Sequence, residues 1–300
     1  MNKARQILND EIEYLKELGF DGMNVGFEHE FSLFNPDGSP SDNDAHAHPN
    51  RRYASASLFM SSIMRPIIDV LKKEGIMIES ATHECGASQY EITYPYADAV
   101  ESCDKLLIAK SIIEEVALQH GLVAHFTPKP SIEWAGNGLH TNVSLRKKHL
   151  GEMLNSFSGK DGKLSRTADN FIAGILHSAK GLTRLTNPTE SSYDRFVDGH
   201  FAPIRICWGQ FNRSALLRVP IIQGNSTRIE VRSPDNTMNP YTGIAGILRS
   251  GIHGIENNLT APDPIEDTVH FRNMIFETIP TSLNEATAEY EKNEILHGIL

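Results

Sequence analysis

Val25-Gly26-Phe27-Glu28-His29-Glu30-Phe31 alternates at period two, so that Glu28 and Glu30 share one face of a strand while Val25, Phe27 and Phe31 take the other. The same reading applied to Arg228-Ile229-Glu230-Val231-Arg232 places two arginines and a glutamate on one face and two aliphatics on the opposite one. In Gly138-Leu139-His140-Thr141-Asn142-Val143-Ser144-Leu145, His140, Asn142 and Ser144 line up against Leu139, Val143 and Leu145. Three strands of this kind describe a sheet with one dry face and one charged face, the wall of a catalytic pocket.

Around these strands, helical spacing is expected over 3–18, ending at Gly19, and over 56–75, 98–120, 165–184, 241–257 and 281–295. Strand-like runs fall at 24–34, 76–96, 122–128, 138–146, 203–220 and 227–233. That order is neither a regular βαβ alternation nor an all-β array, and it predicts an α+β fold whose largely antiparallel sheet is backed by helices. The stretch 35–52 is rich in turn formers and reads as a long loop, with His46 and His48 as a minor candidate metal pair; 157–167 reads as a surface loop. No internal repeat or low-complexity segment is apparent.

The chain has 300 residues, of which 40% are hydrophobic and 22% charged, enough for a substantial core. A net charge of −10 provides no basic excess for phosphate backbones, so no nucleic-acid partner is expected. The N-terminus lacks the apolar stretch of a signal peptide and no run approaches a membrane span, which predicts a cytoplasmic protein with no membrane partner. Cys85, Cys103 and Cys207 show no CxxC spacing and are read as reduced, structural thiols.

Glu28, Glu30, Glu84, Glu91 and Glu230, clustered without a cation, would repel one another, and an oxygen-rich set of this kind suits magnesium or manganese. His140 is the candidate sixth ligand. A second group, Arg195, Arg213, Arg218, Arg228 and Arg232, supplies guanidinium forks that grip phosphate or carboxylate oxygens. Metals with arginines point to phosphoryl chemistry. The bland alternative is an ion-pair network between these arginines and the acids. No GxxxxGK[ST] or GxGxxG motif occurs, so any nucleotide binds by other means.

Taken in order, the motifs resemble the catalytic domain of the glutamine synthetase family. They are Glu28-His29-Glu30, then His83-Glu84-Cys85-Gly86-Ala87-Ser88-Gln89-Tyr90-Glu91, Thr127-Pro128-Lys129-Pro130 and Gly136-Asn137-Gly138-Leu139-His140. Asn187-Pro188-Thr189, Ser192-Tyr193-Asp194-Arg195, Asn212-Arg213-Ser214-Ala215 and Arg218-Val219-Pro220 follow. Arg228 to Asp235 and Asn239-Pro240-Tyr241 complete the series. The resemblance implies a curved sheet, one catalytic domain over residues 1–300, and a bowl-shaped site with ATP at one end, glutamate at the other and divalent metals between them.

By the same resemblance, one metal belongs to Glu30, Glu84 and Glu91 and another to Glu28, His140 and Glu230. Arg195 and Arg232 would hold the amino-acid substrate with Gly136 at its amino end. Arg213, Arg218 and Arg228 would contact phosphates, Tyr96 would lie beside adenine, and Asn142 and Ser144 would be on the nucleotide side. Arg195, Arg213 and Arg232 are thus the expected catalytic residues. The implied reaction joins glutamate to ammonia through a γ-glutamyl phosphate, with an organic amine or a catalytically lapsed nucleotide- and metal-binding homologue as alternatives, in a homo-oligomer. Departures include Phe201 where the family carries a flap glutamate, Ala135 for a common asparagine and Ser88 for a common glycine. The family's N-terminal β-grasp domain would end where Met1 begins, the C-terminus falls early, and no adenylylation loop is recognisable between Asn258 and Ile279.

Overall fold

The computed structural model describes residues 2–42, 60–196, 202–266 and 274–300. His46, His48 and Phe201 lie outside them. The helices are α1 (Asn2–Glu17), α2 (Arg65–Lys73), α3 (Ala99–Gln119), α4 (Arg166–Thr186), α5 (Pro240–Glu256) and α6 (Leu283–Lys292). The strands are β1 (Gly22–Phe34), β2 (Ser80–His83), β3 (Gln89–Thr93), β4 (Ala97–Asp98), β5 (Val123–His125), β6 (Leu139–His149), β7 (Glu152–Asn155), β8 (Trp208–Gln210), β9 (Leu217–Val219) and β10 (Ile229–Val231).

All ten strands join one open sheet whose main path runs β2-β3-β1-β6-β10-β9-β8, with β4 and β5 on β1 and β7 on β6. Every pairing is antiparallel except β8 with β9. The expected α+β class and largely antiparallel sheet are therefore observed. β1 is the longest strand and pairs on both sides, with β3 and β6 as its principal neighbours.

The dry face is the one read from the sequence. Val25, Phe27, Phe31, Leu33, Leu139, Val143, Leu145, Ile229 and Val231 are all buried, and α3 packs against β1 and β5. Four of the helices begin at side-chain caps. Asp98 accepts from the Val100 amide to start α3, Ser165 from Ala168 for α4, Asn239 from Tyr241 for α5 with Pro240 at the first position, and Ser282 from Glu285 for α6. Helix α4 crosses α5 at close range, because a Cβ at Gly254 would lie 2.8 Å from the Gly174 nitrogen. No helix among the described residues is long and apolar enough to cross a membrane.

His29, between the two acids of β1, faces the dry side. It is buried, stacks on Phe126 with ring centroids 4.9 Å apart, and has Nδ1 3.3 Å from the Tyr94 hydroxyl. Burial, helped by the Lys110 charge, pushes its pKa down to about 3, so the ring is neutral. The three thiols are free, with Cys103 and Cys207 buried.

Candidate active site

The register carries the charged side chains to one face. Glu30 pairs with Glu91 of β3 and Glu28 with His140 of β6, while Glu230 of β10 stands opposite Asn142 on one side and Arg218 on the other. Directly opposed residues share a face, so the ladder itself gathers acids and histidine that lie far apart in the chain. Glu84 enters from the turn after β2, where its amide donates to the Gln89 carbonyl at 2.8 Å.

Ligand atoms of Glu28, Glu91 and His140 all lie within 4.8 Å of one another. His140 Nδ1 is 3.2 Å from Glu28 Oε2, 3.7 Å from Glu230 Oε1 and 4.0 Å from Glu30 Oε1. The closest trio thus takes Glu91 from one of the two ligand sets implied by the resemblance, and Glu28 and His140 from the other. Glu30 is held by the Gly138 amide at 2.7 Å and by Gln89 Nε2 at 3.3 Å. Glu84 accepts from Thr82 Oγ1 at 3.4 Å.

The electrostatics of the cluster are lopsided. Burial, followed by repulsion from Glu30, Glu28 and Glu84, pushes Glu91 up to about 9. Burial alone would also raise Glu28, but the His140 hydrogen bond and charge, the Asn142 hydrogen bond and the Arg232 charge together bring it down to about 2. A set of carboxylates that cannot all ionise in one another's company fits a divalent cation, and oxygen donors with one imidazole are compatible with magnesium or manganese.

Part of the arginine group does form an ion-pair network. Glu230 is fully buried and accepts from Arg218 Nη1 at 2.7 Å and from Arg232 Nη1. Arg232 Nε also donates to the Arg213 carbonyl at 3.1 Å, whereas Arg213 itself is exposed. Arg228 reaches Asn142 Oδ1 from Nε at 3.0 Å, and the same amide donates through Nδ2 to Glu28 Oε1 at 3.0 Å.

Two cavities flank the cluster. A cleft of about 190 Å³ is lined by Glu28, Tyr96, Asn142, Ser144 and Arg228, with Tyr96 58% exposed at its edge. A smaller one, about 30 Å³, is lined by Glu30, Lys129, Gly136, His140, Arg195 and Ala202. Two of its lining side chains leave no room at Gly138, where a Cβ would fall 2.9 Å from Arg195 Nη2 and 3.1 Å from His140 Nε2. Arg195 is buried and donates from Nη1 to the carbonyls of Ser233 at 3.0 Å and Pro234 at 3.3 Å. Asp235 Oδ2 lies 3.9 Å away and also accepts from Asn187 Nδ2 at 2.8 Å. A larger cavity, about 580 Å³, is lined by His29 and Leu139 and lies across the sheet from the carboxylates.

Sequence reasoning assigned no role to Lys129, Gln89, Asn187 or Asp235. Gln89 is on β3 and the other three lie in loops or at a helix end, and each occurs inside a quoted motif, which was the available signal. Lys129 donates to the Trp134 carbonyl at 2.5 Å, and burial with the nearby Arg195 charge lowers its pKa.

A family model described as the catalytic domain of glutamine synthetase matches residues 2–300. The glutamine synthetase of Pyrococcus abyssi is 39% identical over 304 residues, covering 99% of this chain and 67% of that protein. That of Thermus thermophilus is 36% identical over 306 residues, covering 99% and 68%. Among solved structures, GmaS in complex with ADP and GmaS without ligand each match with a TM-score of 0.89 at 31% identity, over 99% of this chain and 69% of theirs. With the ordered motifs on the strands that build its carboxylate cluster, and with a match along nearly its whole length, the chain belongs to the glutamine synthetase family.

Proposed function

We propose that this chain is one catalytic domain of an ATP- and divalent-metal-dependent ligase that forms a γ-glutamyl amide from glutamate and ammonia. The observation that carries the reading is the meeting of Glu28, Glu91 and His140 between the Tyr96–Arg228 cleft and the Arg195 cavity. Glu28, Glu30, Glu84, Glu91, His140 and Glu230 are the residues to hold magnesium or manganese, whose ions would polarise phosphoryl oxygens and offset the charge that develops between donor and acceptor.

Tyr96, Asn142, Ser144, Arg213, Arg218 and Arg228 make up the nucleotide side. Arg195 and Arg232, with Gly136, hold the amino acid. The γ-phosphoryl group passes from ATP to the side-chain carboxylate of glutamate, releasing ADP and leaving a γ-glutamyl phosphate. The amine nitrogen then bonds to the acyl carbon as the bond to the phosphate oxygen breaks, and phosphate departs with its charge facing the arginines. Arg195, Arg213 and Arg232 are the catalytic residues in this scheme. The protein is proposed to be cytoplasmic and to work as a homo-oligomer.

An organic amine as nucleophile is the second reading. It draws on Phe201, since a phenyl ring cannot take a proton from ammonium and is compatible with an alkyl group. It also draws on the similarity to GmaS, a γ-glutamylmethylamide synthetase. Magnesium-dependent phosphate release from ATP and L-glutamate, run with ammonium, with a panel of amines and with no acceptor, tests both. Release that needs glutamate and one nucleophile establishes the ligase and names its acceptor; nucleotide binding without glutamate-dependent release overturns it. A Phe201→Glu variant is expected to move preference toward ammonium, and an unchanged amine profile would remove Phe201 from the acceptor site.

A further inference from the structure

Beyond the carboxylate cluster, a second buried polar group ties the end of β1 to the hairpin that carries Glu84 and Glu91. The side chains of His83 and Asp42 are only 8% and 9% exposed, and His83 Nε2 lies 3.1 Å from Asp42 Oδ2. The Tyr90 hydroxyl donates to the same oxygen at 2.5 Å, and Tyr90 and His83 are register partners across β2 and β3. His83 also donates from Nδ1 to the Glu84 carbonyl at 2.8 Å. The His83 ring thus bridges the Asp42 carboxylate and the Glu84 carbonyl. One end of this pair thus reaches the backbone of Glu84.

The other end reaches Ser88. The Asp42 amide donates to Ser88 Oγ at 3.1 Å, and the Ser88 carbonyl accepts from the Leu33 amide of β1 at 2.9 Å. Ser88 is fully buried with φ +50°, in the left-handed region where glycine is at ease and a side chain is not. A serine at such a position is explained by its hydroxyl, which holds Asp42.

We propose that Ser88 and Asp42 form a latch that fixes the Glu84–Glu91 hairpin against β1 and so sets the affinity of the site for a divalent cation. The inference rests on the metal reading given above. Both are positioning residues: neither belongs to the carboxylate cluster, and they act through His83, Glu84 and the placement of β3. How closely Glu91 approaches Glu28 and His140 depends on how firmly β3 sits on β1, and the latch fastens the end of that ladder next to the turn.

The test is isothermal titration of Mn²⁺ into the full chain, with the thermal midpoint of the metal-free protein recorded in parallel. Ser88→Ala and Ser88→Gly both delete the hydroxyl, but glycine relieves the backbone strain that alanine keeps. Both are expected to weaken Mn²⁺ binding by at least about 10-fold, the scale found when a group that orients a metal ligand is lost, with Asp42→Asn doing the same. The midpoint of Ser88→Gly should equal or exceed that of Ser88→Ala. Mn²⁺ affinity unchanged in all three variants, or lost in Ser88→Ala yet retained in Ser88→Gly, would overturn the latch. Glu91→Gln separates the two levels. If it abolishes Mn²⁺ binding and the latch variants do not, the latch alone fails; if it leaves Mn²⁺ binding untouched, the metal site fails and the latch with it.

Discussion

Glu91 stands directly opposite Glu30 across the β1–β3 ladder, two acids in register on the same face of neighbouring strands. Antiparallel pairs normally avoid like charges at this distance. The arrangement stores repulsion that a cation relieves, and it makes the metal-free protein sensitive to alkali.

With its pKa raised from 4.5 to about 9 in the folded state, Glu91 binds a proton more tightly folded than unfolded. Its contribution to stability is complete below about pH 4.5 and is lost as pH rises toward about 9. Glu28 works the other way, since a folded pKa of about 2 gives stability that is present above 4.5 and lost as pH falls toward 2. Metal-free protein should therefore lose stability between pH 6 and 9, and Glu91→Gln should remove that slope and raise stability at pH 8 by more than about 1 kcal/mol. Thermal midpoints across pH, with and without Mg²⁺, check this; a flat profile in the metal-free wild type would refute it.

Removing Glu230 leaves the Arg218 and Arg232 guanidiniums without the buried carboxylate between them. Glu230→Ala is expected to cost about 3–5 kcal/mol in urea unfolding, the range for breaking a buried pair from one side. Metal-dependent turnover should disappear as well. Unchanged turnover would take Glu230 out of the ligand set.

Gly138→Ala tests the acid end. The added methyl would crowd Arg195 Nη2 and His140 Nε2, the far ends of side chains that can shift, so the fold should tolerate it better than the chemistry does. Misplacing a binding group by an ångström costs about 100-fold in rate. A higher KM for glutamate with an ATP KM close to wild type is the expected signature in steady-state kinetics.

The α4–α5 crossing predicts a variant that fails for the opposite reason. At Gly254 a Cβ would meet the Asn170 carbonyl and the Gly174 backbone, which cannot swing away. Gly254→Ala should lower stability by about 1–3 kcal/mol or more through overpacking. Mn²⁺ affinity measured well below the melting transition should be retained, because the crossing lies among the helices and not at the carboxylates.

The acid-bearing strands were legible because alternation over β1 and β6 is long and one-sided, and a period of two leaves little freedom in which residues share a face. The hairpin into β7 was not foreseen. Its turn is Leu150-Gly151, with φ of +49° and +90°, where the familiar signal is asparagine or aspartate before glycine, and β6 continues into polar Lys147–His149 past the expected end at 146. The run 203–220, expected as a strand, holds only β8 and β9, interrupted where Phe211 takes φ +61° and the Asn212 side chain accepts from the Ser214 amide. The partners of the arginines were equally hidden. Composition marks guanidinium groups near acids, but only the register reveals that Arg218 and Arg232 meet on Glu230 while Arg228 turns to Asn142.

The neutral, buried His29 has a consequence for the acids on either side of it. Behind Glu28 and Glu30 lies a dry layer of Phe31, Phe126 and an uncharged imidazole, with the Lys110 ammonium beyond it, 4.9 Å from the centre of the Phe126 ring. The low-dielectric side of the sheet focuses the field lines of the two carboxylates toward the solvent-accessible face. β1 therefore behaves as a lopsided electrode, whose negative potential is focused on the bowl. A positive charge placed directly behind the strand, as a protonated residue at position 29 would be, would make the potential in front of it less negative without touching a single ligand.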